Sequence, residues 1–267
     1  MNLEVYLKRI GFNGAPQQDL ATLQSLQRCH LEHIAFENFD VLFGRRVTLD
    51  PEDAYAKMVT GGRGGWCYEM NGLFLWALES IGFRVMPMTG AMLRAQRGPS
   101  AIGSHLVLTV ELEQPYLVDV GLGDGPTEPI LLKEGSYGYH LGRLRLERLS
   151  DGWWRVHKEA PIFSLSYDFQ HQRADWDMLT EKCHWQQTSP DSLFVQNAIC
   201  VKQVPGTVIA LLGRALKTAY QGEVRTQLVN SAAEYIDLLE GKFGLELPQA
   251  ADLWPGIVSR HEALFGS

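Results

Sequence analysis

The segment "TGGRGGWCYEMNGLFLWALES", residues 60–80, constrains the fold more than any other stretch of the chain. Gly61, Gly62, Gly64 and Gly65 surround Arg63, and Trp66 and Cys67 follow directly. Leu73, Phe74, Ala77, Leu78 and Ile81 then recur at helical spacing, which predicts a helix burying one face and stopping at Gly82. A glycine segment that opens a helix leaves free N–H groups and the positive dipole end at its mouth. A thiolate is stabilised there, so Cys67 is a candidate nucleophile. Position alone is weak, because a cysteine before a helix is more often a small buried apolar residue.

A nucleophilic cysteine needs a base, and the base needs an orienting group. His105 opens the apolar strand "HLVLTVEL", and Asp119 sits late in the next one, "YLVDVG". The intervening "EQP" predicts a hairpin, which brings the start of the first strand near the end of the second. His105, Val107 and Thr109 share one face, as do Leu117, Asp119 and Gly121. A carboxylate within an apolar strand is costly to bury alone, and His105 is the partner in reach. Asp119 bonded to turn amides in "GLGDG" is the alternative.

The rest of the chain reads as three regions. Residues 1–82 are helical: "LATLQSLQRCHLEHIAF" carries an apolar stripe, and "LDPEDAYAKMVTGG" has Asp50 as N-cap with Pro51 behind it. Residues 83–190 hold short strands separated by turn signals, "FRVMPMTGAML", "GRLRLERL" and "WWRVHKE" among them, which predicts an antiparallel barrel or sandwich. Residues 191–267 mix both types, with "FVQNAICVKQV" and "TVIALLG" flanking a Pro-Gly turn and a capping box at Ser231 and Glu234. The fold class is therefore α+β. With 45% hydrophobic and 21% charged residues, the 267-residue chain has the composition of a soluble globular protein. A net charge of −7 argues against nucleic acid, and no apolar run approaches the roughly 20 residues of a membrane span. Four scattered cysteines without a CxxC pair argue against a metal site or disulfide framework and for a cytoplasmic location. Cys29, Cys183 and Cys200 read as packing residues. The HxxH pair His30 and His33 lacks a third ligand, and "GLGDGP", residues 121–126, matches no phosphate-binding fingerprint.

Taken together, these segments resemble the arylamine N-acetyltransferase family, bacterial type. "RGGWCYEMNGLF" resembles its active-site signature, "IAFENFDVLFGR" its N-terminal motif, "SHLVLTVEL" with "YLVDVGLG" its His and Asp segments, and "TSPDSLFVQN" its third-domain entry. The resemblance implies a helical bundle, a β-barrel and an α/β lid around a cysteine-protease-like core. It implies acetyl-CoA as co-substrate, no permanently bound cofactor, and small aromatic amines, hydrazines or hydrazides as acceptors, as in xenobiotic metabolism. Cys67 would accept the acetyl group as a thioester in a ping-pong mechanism, with His105 as base and Asp119 as orienter. Phe36, Tyr68, Ser104, Leu122 and Gly123 would line the substrate and CoA pocket. Glu37 and Arg63 would form a supporting ion pair, and Glu69 and Asn71 would fix the loop. Leu122 stands where the family usually has Phe, which bears on acceptor preference. A transglutaminase-like or peptidase-like amide hydrolase using the same triad, and a non-catalytic CoA- or aromatic-binding module, are the alternatives. Whether the chain forms a homo-oligomer is open.

Overall fold

The computed structural model describes residues 1–266. Its N-terminal part is built from helices Leu3–Arg9, Leu20–His33, Pro51–Tyr55 and Cys67–Ile81. The first three start where the side chains of Asn2, Asp19 and Asp50 accept an amide N–H, each cap contributing about 1 kcal/mol. The Pro51 helix continues as a π-helical turn, Ala56–Thr60, that ends at Gly61. The Cys67 helix buries Met70, Leu73, Phe74, Ala77 and Leu78, the larger of these stabilising the fold by about 1.5–3 kcal/mol each. It terminates at Gly82, where the sequence predicts its end, and the φ of 104° there makes a left-handed cap.

The strands, in chain order, are β1 (Phe36–Glu37), β2 (Arg84–Met92), β3 (Ile102–Glu111), β4 (Pro115–Val118), β5 (Ile130–Leu131), β6 (Gly135–Tyr139), β7 (Gly142–Arg148), β8 (Trp154–Glu159), β9 (Leu165–Phe169), β10 (Ile199–Val204), β11 (Thr207–Leu212), β12 (Ala215–Tyr220) and β13 (Glu223–Leu228). Eight of them form one antiparallel sheet in the order β5-β4-β3-β2-β9-β8-β7-β6. Met88, Val107, Leu117, Leu146, Val156 and Phe169 from six of these strands meet in one apolar cluster. A sheet must curl to bring them together, so this one is a nearly closed barrel with β5 and β6 at its edges. The predicted hairpin is β3–β4, with Leu108 opposite Val118.

Helix Trp176–Thr188 lies within the stretch read from sequence as strands, and it packs on β3. It escapes pattern analysis because Trp176, Met178 and Trp185 point outward, which blurs the apolar stripe. The remaining sheet is β1-β10-β11-β12-β13. Part of "FVQNAICVKQV" is a short helix, Leu193–Gln196, before β10 begins. Helices Ala232–Leu238 and Trp254–Phe265 join this sheet in a second core containing Tyr235, Leu239, Phe243 and Ile257. Since β1 belongs to this sheet yet lies early in the chain, the N-terminal helices and the C-terminal part are stitched together beside Cys67. No helix among the described residues is long and apolar enough to cross a membrane.

His30 and His33 do not converge. His33 is exposed, while His30 is fully buried and its Nδ1 accepts the Tyr6 hydroxyl at 2.9 Å. Burial, aided by Arg9, pushes the His30 imidazole down to about 3. In the unfolded chain a histidine titrates near 6.5, so above that pH both states are neutral and His30 has no linkage effect. Below it only the unfolded state takes up the proton, and stability falls by about 1.4 kcal/mol per pH unit until the folded group titrates. Urea titrations across pH 4–7 are expected to give a shallower acid-side slope for His30→Gln than for the parent chain. Parallel slopes would remove His30 as the source.

Candidate active site

The glycines of residues 61–65 are explained by what lies behind them. Gly65 N donates to Ala35 O at 3.1 Å and Glu37 N donates to Gly65 O at 2.9 Å, a bridge between this loop and β1. A Cβ on Gly64 would lie 2.1 Å from the Ala35 carbonyl oxygen and 2.7 Å from Cγ of Glu37. Gly62 supplies the left-handed turn, at φ +67°. Trp66 then occupies the N-cap position, its amide donating to Glu69 Oε2 at 3.2 Å, and Cys67 is the first helical residue. Cys67 is 4% exposed.

One turn along the same helix face is Asn71. Its Nδ2 donates to Leu106 O at 2.7 Å and to Asp119 Oδ1 at 2.9 Å, and its Oδ1 accepts from Val120 N at 3.0 Å. Asp119 lies just past the end of β4 rather than inside it, where its Oδ1 also accepts from Gly121 N at 2.9 Å. Both sequence readings of Asp119 hold at once, because its other oxygen, Oδ2, is 2.8 Å from His105 Nε2. Gly121 closes the arrangement, since a Cβ there would lie 2.9 Å from Cα of Cys67. His105 is 1% exposed, and the Tyr167 ring packs edge-on against it at 5.1 Å between centroids.

Burial alone would raise the Asp119 carboxyl, but the charge and hydrogen bond of His105, with Asn71 and the Gly121 amide, hold it below the usual carboxylate range. An ionised Asp119 only accepts, so His105 Nε2 carries the proton and Nδ1 is left as the basic nitrogen. Burial pushes the Cys67 thiol well up, and nearby Cys183 and Asp119 add to the rise while the Tyr68 amide opposes it. Burial thus opposes the thiolate that the helix start favours, and a proton acceptor beside the sulfur would offset that cost.

Arg63 and Glu37 are paired, with Arg63 Nη2 2.7 Å from Glu37 Oε1. The pair is part of a larger network. Lys57, on the π-helical turn, reaches Asp40 Oδ2 and Glu69 Oε2 at 3.0 Å each, and Arg63 also contacts Asp40 at 3.3 Å. Lys57 and Arg63, with exposed Arg45 3.4 Å from Asp40, thus face three carboxylates, and burial raises the Glu69 carboxyl above its ordinary range despite Lys57. Asp40 lies in the segment "IAFENFDVLFGR" but was not singled out from sequence, and Lys57 carries no motif of its own.

The other predicted residues divide by their contacts. The Tyr68 hydroxyl donates to the Gly103 carbonyl at 2.7 Å and touches the Gln186 side chain, while Ser104 Oγ accepts the Met92 amide at 2.8 Å. Phe36 and Gly123 adjoin, since a Cβ on Gly123 would lie 3.1 Å from that of Phe36. Leu122 is half-buried and packs against the barrel core. In "GLGDGP", buried Asp124 pairs with buried Lys158, Gln203 donates to the Gly125 carbonyl and Gln27 to the Pro126 carbonyl, which pins the loop carrying Gly121. Phe194, which sequence reasoning passed over, packs edge-on against Trp66 at 5.2 Å. Cys183 and Cys200 are buried, and Cys29 is partly so.

A buried cysteine opening a helix, next to a hydrogen-bonded His–Asp pair on a barrel, gives the molecule a cysteine-protease-like fold. Residues 19–252 match the N-acetyltransferase family. The chain is 33% identical to the arylamine N-acetyltransferase of Mycolicibacterium smegmatis, with 94% of each chain covered. The solved arylamine N-acetyltransferase of Mycobacterium marinum in complex with CoA is similar to it at a TM-score of 0.85 and 30% identity, over 97% of this chain and 98% of that one. The enzyme from M. tuberculosis is similar at a TM-score of 0.87 and 29% identity, over 96% and 99%. The chain belongs to the arylamine N-acetyltransferases, a family of acyltransferases.

Proposed function

We propose that the protein transfers the acetyl group of acetyl-CoA to arylamines, arylhydrazines and hydrazides through an acetyl-cysteine on Cys67. The observation that carries this reading is the His105 Nε2–Asp119 Oδ2 bond of 2.8 Å beside Cys67, which leaves Nδ1 free as a base. Nδ1 takes the thiol proton, and the sulfur attacks the thioester carbonyl. The CoA sulfur departs with that proton, leaving a thioester on Cys67. An acceptor amine, neutral near pH 7, then attacks the carbonyl. Its proton passes to Nδ1, the C–S bond breaks, and the thiol is restored as Nδ1 returns the proton to the sulfur. Asp119 holds the ring and stabilises the imidazolium formed in each half. Glu37, Arg63, Glu69 and Asn71 act by holding the loop and the helix start. Phe36, Tyr68, Ser104, Leu122 and Gly123 are the residues proposed around the substrate, with Leu122 supplying apolar surface but no ring to stack on an aromatic acceptor.

Intact-mass measurement after mixing the protein with acetyl-CoA alone tests this. One acetyl group is expected, mapped to the Cys67 peptide, and discharged by an arylamine. Absence of the adduct together with cleavage of peptide amides would favour the hydrolase alternative. Acceptor turnover that survives Cys67→Ala would overturn the assignment of the nucleophile.

A further inference from the structure

A cavity of about 490 Å³ opens between helix Trp254–Phe265, strands β10 to β12 and the segment 193–199. That volume lies within the range of small-molecule sites. Its walls are mostly apolar, with Phe163, Val195, Ile199, Leu212 and Ile257 among them. The polar side chains it presents are Gln196, Asn197, Lys217, Arg260 and His261, and no aspartate or glutamate lines it. That absence stands out in a chain whose net charge is −7.

Of the two permanent cations, Arg260 is held in place by hydrogen bonds. Arg260 Nη2 donates to Gln196 Oε1 at 2.8 Å and its Nε to Asn197 Oδ1 at 3.3 Å, both neutral amides. Among the described residues, neither Arg260 nor Lys217 has a carboxylate within ion-pair distance. A half-buried guanidinium held in place by two amides is pre-organised for a planar anion, and a carboxylate fits its fork. Apolar walls at the same opening call for an apolar body on that anion.

We propose that this cavity binds an amphipathic monocarboxylate, with a medium-length hydrocarbon chain along the apolar wall and the carboxylate on Arg260 and Lys217. Cys67, His105 and Asp119 are not among the residues lining this cavity. Calorimetric titration of the full-length protein with decanoate, and with decan-1-ol as a neutral chain of the same length, tests it. Decanoate is expected to bind to the parent chain, and Arg260→Met to weaken it by about tenfold or more, as loss of a charge-assisted bond does. Lys217→Gln, on a different element, is expected to weaken it in the same sense, while the alcohol binds weakly and equally to all three proteins. The proposal is overturned if decanoate does not bind, if the alcohol binds as tightly, or if neither substitution changes the affinity. Displacement of decanoate by CoA at equimolar levels would also overturn it, by making the cavity part of the acyl-donor path.

Discussion

Asp119→Asn is expected to lower acetyl transfer by about 10³–10⁴-fold while leaving a folded protein. The size of the effect follows from hydrogen-bond geometry. Asp119 Oδ1 accepts from two donors, Asn71 Nδ2 and Gly121 N, both at 2.9 Å. In the variant these donors demand the amide oxygen, so the amide NH2 must face His105 Nε2. A donor there forces Nε2 to accept, and the ring proton moves to Nδ1, the nitrogen needed as base. The enzyme would keep its shape and hold the wrong tautomer. Stopped-flow measurement of acetyl-Cys67 formation, with a thermal melt alongside, checks this. A folded variant that acetylates at near-normal rate would remove Asp119 from the mechanism.

Acid sensitivity of activity follows from the same carboxylate. Its pKa is depressed in the folded protein, so its stabilisation is fully present above the unfolded carboxylate value near 4 and is lost as pH falls through the lower folded value. At neutral pH the carboxylate is ionised and the His–Asp bond is intact.

Gly64→Ala is expected to destabilise the chain by at least about 3 kcal/mol and to abolish acetylation in whatever fraction folds. Its added Cβ would lie 2.1 Å from a backbone oxygen that cannot withdraw, because Ala35 O accepts the Gly65 amide and Glu37 N donates back to Gly65 O. Relief of the clash would separate β1 from the loop, undoing the ion-paired layer of Glu37, Arg63 and Lys57 and displacing Trp66 and Cys67. Gly62→Ala, by contrast, meets no atom within 4 Å and faces only the cost of its left-handed φ. Urea midpoints for the two variants should therefore differ clearly, with Gly64→Ala the weaker. Equal, small losses would mean that the loop moves more freely than its packing implies.

Much of the architecture was legible because local signals agreed with one another. The Cys67 helix has an apolar stripe, a glycine before it and a glycine cap after it, and each has a separate physical cause. The β3–β4 hairpin carries alternating residues and a tight turn, so its register places His105 near the residues after Val118. The helix Trp176–Thr188 was not legible, because exposed Trp176, Met178 and Trp185 break the stripe by which a helix is recognised. Strand β13 was not legible for a related reason: "EVRTQL" is exposed at every position and carries no one-sided pattern.

The sequence by itself determined which chemistry is available: one cysteine at a helix mouth, one histidine and one aspartate on a hairpin, and glycines where no side chain fits. Those are local properties, set by dihedral preference, side-chain period and turn chemistry, and they survive without knowledge of distant contacts. Tertiary structure decided how the groups behave. It buried Cys67, which pushes the thiol's proton affinity up. It set Asn71 to fix Asp119, chose Nε2 of His105 for the carboxylate, and brought Lys57 and Asp40 from other turns to balance Glu37 and Glu69. Proton affinities and hydrogen-bond partners depend on what surrounds a group within a few ångströms, and most of those neighbours lie far away along the chain.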